Sequence, residues 1–155
     1  MDSFFLDYCV LNDGMRDAAV LAKLRHLVRG GAELYTGTTV LGEAIEVLME
    51  GPREGQYMLI DLVRDLNIKC VHPTRDWIKV QNELAVILER DGKGLIPASE
   101  MAHLSLAITK GISAYVTSRP EARKLSGISG LGSLIAVVDI DMAVARITDR
   151  LATMS

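Results

Sequence analysis

The stretch PASEMAHLSLAITKGISAYVTSRPE, residues 97–121, decides the fold class of this chain. Its first half begins with a helix breaker, Pro97, and a suitable N-cap, Ser99, and continues with apolar residues at helical spacing. Gly111 tolerates the left-handed backbone conformation in which many helices end. The sequence therefore predicts a helix over about 99–110.

A short apolar strand is predicted directly after this helix. It covers Ser113–Val116 and ends in two small polar residues, Thr117 and Ser118. Ligands of open α/β sheets bind beyond the carboxyl ends of the strands. We therefore expect the chemistry of this protein to take place at the loop that follows the strand.

The same alternation of strands and amphipathic helices continues along the whole chain, without an internal repeat or a linker. The pattern predicts a single domain over residues 1–155 with a three-layer α/β/α architecture and a central, mostly parallel five-stranded sheet. The predicted strands are 3–9, 33–36, 68–71, 113–117 and 134–138.

Some local predictions concern the ends and connections of these elements. Phe4–Leu11 is almost entirely apolar, which favours a strand buried on both faces. Asn12–Gly14 is typical of a turn that leads into one long helix over about 15–28. Glycine-rich Ser126–Gly132 and the segment 91–94 are predicted to be loops.

Composition and charge limit the functions and cellular locations that we expect of this protein. The net charge of −3 shows no excess of basic residues, so strong sequence-independent binding of nucleic acid through Lys and Arg is not supported. No apolar run approaches the ~20 residues that span a bilayer, and the first residues lack the basic region of a signal peptide, so we expect a cytoplasmic protein without membrane contact. Cys9 and Cys70 both lie in apolar runs, which favours buried free thiols over a disulfide.

Three acidic residues stand where a purely structural sequence would carry other side chains. Asp7 interrupts the apolar first strand, Glu43 lies on the apolar face of a predicted helix, and Glu100 opens the helix described above. Each has a structural explanation as well: a buried ion pair or strand-end hydrogen bonds for Asp7, a solvent-reaching side chain for Glu43, and the helix dipole for Glu100.

A shared cation is the alternative that explains all three acids together. Carboxylates gathered at one sheet edge repel one another unless a cation offsets their charge, and oxygen ligands alone favour Mg²⁺ or Mn²⁺ over zinc. His103 lies on the same helix as Glu100 and is expected to pack or to form a hydrogen bond. The glycine-rich phosphate-binding motifs and the serine nucleophile elbow are absent from the sequence.

Three segments resemble the motifs of PIN-domain proteins, in the same order and at similar spacing over about residues 3–138. FFLDYCVL is similar to the first motif, an apolar strand that ends in Asp, and TTVLGEAIEVL is similar to the second, a helix with one inward Glu. PASEMAHLSLAITKGISAYVTSRPEARKL resembles the third and fourth motifs, an acid before an apolar helix with a His, then a strand that ends near Thr.

The resemblance implies a metal-dependent ribonuclease that cleaves single-stranded RNA, either a VapC-type toxin held by an antitoxin protein or an RNA-processing nuclease. It implies that Asp7, Glu43 and Glu100 hold Mg²⁺ or Mn²⁺, with His103, Thr117, Ser118 and Arg119 as supporting or substrate-binding residues. It also implies a homodimer.

The chain departs from the family pattern after the predicted fourth strand. The family usually has Thr-Asn-Asp there, whereas this chain has Thr117, Ser118 and Arg119, so a cation replaces the fourth acid. Glu121 lies close enough in sequence to substitute for that acid, and Arg119 could instead pair with the other acids directly. A PIN fold that has lost catalysis and binds RNA or protein is therefore the alternative function, and a flavodoxin-like regulator is a third.

Overall fold

A computed structural model describes residues 2–91 and 96–154 of the chain. Its centre is a five-stranded sheet with the order β3-β2-β1-β4-β5, in which every neighbouring pair is parallel. The strands are β1 (Ser3–Leu6), β2 (Glu33–Gly37), β3 (Lys69–Val71), β4 (Ala114–Val116) and β5 (Ala136–Val138).

Helices connect the strands, as parallel pairing requires. They are α1 (Tyr8–Arg16), α2 (Ala18–Arg29), α3 (Thr38–Met49), α4 (Arg53–Asp65), α5 (Arg75–Arg90), α6 (Ala98–Lys110), α7 (Pro120–Arg123), α8 (Ser129–Gly132) and α9 (Ile140–Met154), with a 3₁₀ turn at Lys124–Gly127. The loop predicted at 91–94 lies outside the described residues except for Asp91.

The predicted α/β/α architecture with a five-stranded parallel sheet is confirmed. α2 packs against α9, and α5 packs against α6. The central strand β1 is covered so completely that Phe4, Phe5 and Leu6 are fully buried. Because every strand pair is parallel, the carboxyl ends of the strands lie at the same edge of the sheet. Among the described helices, none is long and apolar enough to cross a membrane.

The prediction for the first apolar run is wrong in its second half. β1 ends at Leu6, and Tyr8–Arg16 is helical because the Asp7 carboxylate accepts a hydrogen bond from the backbone N–H of Val10 and so caps α1. The predicted turn at Asn12–Gly14 lies inside this helix. An apolar run of this length fits a strand or a buried helix equally well, and the cap decides between them.

The single long helix predicted over 15–28 is also wrong, because the chain forms α1 and α2 separated at Asp17. The Asp17 carboxylate accepts a hydrogen bond from the backbone N–H of Ala19 at 2.8 Å and caps α2. The segment predicted as a loop at Ser126–Gly132 instead forms the end of the 3₁₀ turn and α8. Cys9 and Cys70 are free, as predicted, but half-buried rather than fully buried.

The helix predicted over 99–110 is confirmed as α6, with one difference at its start. Its N-cap is Pro97 rather than Ser99, and no side chain caps it. It ends as predicted at Gly111, whose φ of 77° is left-handed. Gly37 at the end of β2 allows α6 to approach the sheet, since an added Cβ there would lie 2.7 Å from Cδ1 of Leu106.

Candidate functional site

The candidate site lies at the carboxyl ends of β1 and β4, the two central neighbours of the sheet. Leu6 pairs with Val116 in the register, so Asp7 and Thr117 follow their strands side by side. The Thr117 hydroxyl donates a short hydrogen bond to Oδ2 of Asp7. Both residues are buried, Asp7 with only 1% of its surface exposed.

The environment of Asp7 makes its carboxyl a weaker acid than an exposed aspartate. Burial raises the pKa of this carboxyl from its ordinary value near 3.8 to about 6, although the hydrogen bonds from Thr117 and from the backbone N–H of Val10 oppose the rise. Nearby Glu100 also raises the pKa, and Arg119 lowers it. The Asp7 carboxyl therefore titrates at a higher pH than an exposed aspartate does.

Glu100 is held by one neutral and one charged partner. It lies in the first turn of α6 and is almost fully buried. Its Oε1 accepts a hydrogen bond from the Tyr115 hydroxyl at 2.7 Å, and its Oε2 lies 3.2 Å from a terminal nitrogen of Arg119. A buried carboxylate needs such partners, because it has lost its hydration.

Glu43 on α3 also has two partners. Its Oε1 lies 3.3 Å from the other terminal nitrogen of Arg119, and its Oε2 lies 2.9 Å from Nε2 of His103. Nε2 must donate here, since a carboxylate only accepts. Nδ1 of His103 is 2.8 Å from the Thr39 hydroxyl, which fixes the ring between α3 and α6.

Arg119 is the group that joins these acids. Besides Glu43 and Glu100, its Nε donates to Sγ of Cys9 at 3.1 Å, and its backbone N–H donates to the Thr117 hydroxyl. The guanidinium thus contacts α1, α3 and α6 from the loop after β4. The direct pairing of Arg119 with the acids, one of the possibilities left by the sequence, is the arrangement that the structure has.

The side chains as arranged do not fit a divalent cation. Both oxygens of Asp7 accept hydrogen bonds, and both oxygens of Glu43 and of Glu100 lie against a donor, with Arg119 between the two glutamates. Within residues 2–91 and 96–154, no three His, Cys, Asp or Glu side chains form a group that could hold a metal ion. The Mg²⁺ or Mn²⁺ site predicted over Asp7, Glu43 and Glu100 stays a prediction.

The remaining predicted site residues lie outside the cluster. Glu121 is exposed in the first turn of α7, and none of the ion pairs found among the described residues joins it to the other acids. Ser118 is exposed as well. The proposal that Glu121 replaces the missing fourth acid therefore has no contact to support it.

Three further residues belong to the site. Cys9 contacts Arg119, the Tyr115 hydroxyl holds Glu100, and Thr39 orients His103. Only Tyr115 carried a signal in the sequence, because a tyrosine within a fully buried strand needs a partner for its hydroxyl. Burial raises the pKa of the Cys9 thiol, so this cysteine is neutral in the pocket.

Comparison with solved structures bears directly on the fold. The chain superposes on a chain of the VapBC2 complex from Rickettsia felis bound to a DNA fragment from their promoter, with a TM-score of 0.73 at 15% identity, over 88% of this chain and 98% of that one. It superposes on a chain of VapBC-1 from nontypeable Haemophilus influenzae with a TM-score of 0.69 at 12% identity, over 90% and 98% of the two chains.

The chain has a PIN-like fold. No protein-family model matches the sequence, and no curated protein is similar to it. At 12–15% identity the superpositions establish the fold alone. Within this PIN-like fold, Arg119 pairs with Glu43 and Glu100 and acts electrostatically on Asp7. The assignment of these three acids to a catalytic site stays a prediction.

Proposed function

We propose that this chain is the PIN-fold component of a two-protein complex of the toxin–antitoxin type, and that it acts through a protein partner. The fold supports this proposal, since the two similar structures described above are VapBC assemblies. The observation that carries it is a large exposed apolar surface on α3 and α4. A net charge of −3 favours a protein over RNA as the bound partner.

This α3–α4 surface comprises six large apolar side chains that face solvent on two sides of the helix pair, with Ile45 and Ile60 at one cavity and Val47 and Met58 at another. Tyr57 and Ile60 on α4 are 61% and 58% exposed, and Met49 on α3 is 68% exposed. Single exposed apolar residues are ordinary, but a group of them on two adjacent helices marks an interaction site. The members are Ile45, Val47, Met49, Tyr57, Met58 and Ile60.

Two separate cavities adjoin this surface, and the one that contains Ile60 is the candidate docking groove. A cavity of about 420 Å³ lies between α3 and α4 and is lined by Ile45, Leu59 and Ile60 among others. A second, of about 290 Å³, lies beside Met15 and Met58. Apolar grooves between helices accept the apolar face of an amphipathic helix, so we expect the partner to contribute such a helix.

The test compares an engineered charge in the groove with the same charge elsewhere. Ile60→Glu places a carboxylate in the groove, whereas Ile78→Glu does so at an equally exposed position on α5. The partner is identified by affinity capture of the tagged chain from its own cells, then remade pure and titrated by calorimetry. We expect Ile60→Glu to weaken binding at least about tenfold, as for a central interface residue, and Ile78→Glu to bind as wild type.

Two results would contradict the proposal. One is that no captured protein binds the pure chain, and the other is that Ile60→Glu binds the partner as tightly as wild type does. If the pure chain is a dimer by light scattering and Ile60→Glu makes it monomeric, the groove instead holds a second copy of the chain. A homodimer is what the resemblance to PIN-domain proteins implies.

Metal-dependent cleavage of single-stranded RNA is the second candidate function. It is supported by the three acids at one edge of a PIN-like sheet, and opposed by Arg119, which pairs with two of them. Cleavage would require the guanidinium to leave. We expect wild type to cleave labelled single-stranded RNA in Mn²⁺ no faster than Asp7→Asn, and Mn²⁺-dependent cleavage that Asp7→Asn abolishes would establish the nuclease.

A further inference from the structure

The Arg119 side chain is a fixed positive charge within a group of acids. Its three guanidinium nitrogens each have a different partner: Cys9 at 3.1 Å, Glu100 at 3.2 Å and Glu43 at 3.3 Å. These partners come from three helices, and the arginine itself follows β4. One side chain therefore joins four elements at the carboxyl edge of the sheet.

The acids need a positive charge at this position. The Glu100 side chain is only 3% exposed, and Glu43 is 28% exposed, so neither carboxylate can rely fully on water. Glu100 also acts on Asp7 as a neighbouring negative charge. Without the arginine, these carboxylates would face one another in a partly buried pocket, where like charges repel strongly.

We propose that Arg119 is the resident cation of this pocket, so that the pocket of the wild-type chain binds no divalent metal ion. Replacing Arg119 by an uncharged residue converts the pocket into a divalent-cation site. The guanidinium acts as a positioning group: it partly offsets the negative charge of Glu43 and Glu100 and holds α3 and α6 against the end of β4. Removing it frees one oxygen on each glutamate. Oxygen ligands of this kind favour Mg²⁺ and Mn²⁺.

The shape of the guanidinium explains why arginine rather than lysine holds this position. Its planar fork presents separate N–H groups to Glu43, Glu100 and Cys9 at once. A lysine ammonium is a single point charge on a flexible stem and cannot reach all three partners. It would nevertheless keep one positive charge in the pocket, which makes Arg119→Lys the control that separates charge from geometry.

The experiment measures thermal unfolding of the full chain in EDTA and in MnCl₂, and it needs neither a partner protein nor RNA. The variant is Arg119→Gln, which removes the charge and keeps much of the side-chain length. We expect wild type to have the same Tm in both conditions. Arg119→Gln should have a lower Tm in EDTA and recover about 4 °C or more in Mn²⁺, because a ligand that binds only the folded state stabilises it.

Two control variants show whether a response to Mn²⁺ comes from the loss of the positive charge at residue 119. Arg119→Lys should lose stability without any response to Mn²⁺. Arg123→Gln breaks a comparable ion pair, with Asp139 at 2.6 Å, and should also lose stability without a response to Mn²⁺. The proposal is overturned if Mn²⁺ raises the Tm of wild type as much as that of Arg119→Gln, or if Arg119→Gln shows no greater response to Mn²⁺ than Arg123→Gln.

Discussion

The hydroxyl of Tyr115 donates a hydrogen bond to Oε1 of Glu100 over 2.7 Å, and both side chains are buried. Tyr115 lies in the middle of β4 with its ring stacked on Phe5, so its position is fixed by the sheet. This bond ties the first turn of α6 to the strand that leads into the site. It also leaves the second oxygen of Glu100 to face Arg119.

Tyr115→Phe tests this contact. The substitution keeps the ring and removes the only donor to Oε1 among the described hydrogen bonds, so a buried carboxylate oxygen loses its partner. We expect a loss of about 1–3 kcal/mol in the free energy of unfolding, measured by urea denaturation. Tyr35→Phe, whose half-buried hydroxyl donates to Glu33 at 2.6 Å, should cost clearly less, and an equal cost would contradict the account.

Asp7→Asn tests the burial of the first acid. Because the pKa of Asp7 is raised to about 6 in the folded chain, its neutral form stabilises the fold below pH 4, and this contribution is lost as the pH rises through 6. Asparagine has no charge to bury at any pH, and its side-chain oxygen can still cap α1. We therefore expect Asp7→Asn to be more stable than wild type by about 2–3 kcal/mol at pH 7.5 and nearly equal to it at pH 4.

The same substitution at Asp17 provides the control for burial. Asp17 is also an N-cap aspartate, but it is exposed. Because its carboxyl faces water, Asp17→Asn removes no burial cost and should not stabilise the chain at pH 7.5. If Asp7→Asn is less stable than wild type at pH 7.5, the charged carboxylate of Asp7 contributes more to the fold than its burial costs.

Gly37→Ala tests the close approach of α6 to the sheet. The new Cβ would lie 2.7 Å from Leu106 and 3.0 Å from the Phe5 ring, both of which are fully buried, so the core must shift. We expect a loss of about 1–3 kcal/mol in the free energy of unfolding. Gly42→Ala is the matched control: nothing lies within 4 Å of its Cβ, and alanine in a helix should stabilise α3 by up to about 1 kcal/mol.

How far the sequence predicts this structure is clearest at two apolar segments. The segment 97–121 carried a breaker, an acid in the first turn, a glycine stop and an apolar strand, and its local signals agree with α6 and β4. The run Phe4–Leu11 did not predict its own structure. Its strand ends at Leu6 because Asp7 caps a helix, and periodicity alone cannot separate a buried strand from a buried helix.

The sequence by itself determined the alternating strands and helices and the identity of the acids, because hydrophobic period, caps and glycine stops act over a few neighbouring residues. It also placed an arginine where a further acid was expected. Only the tertiary structure decided that this arginine contacts Glu43, Glu100 and Cys9, which are 76, 19 and 110 residues away in the chain. The strength of a charge interaction depends on distance and burial in space, and parallel strand pairing sets both of these at the edge of the sheet.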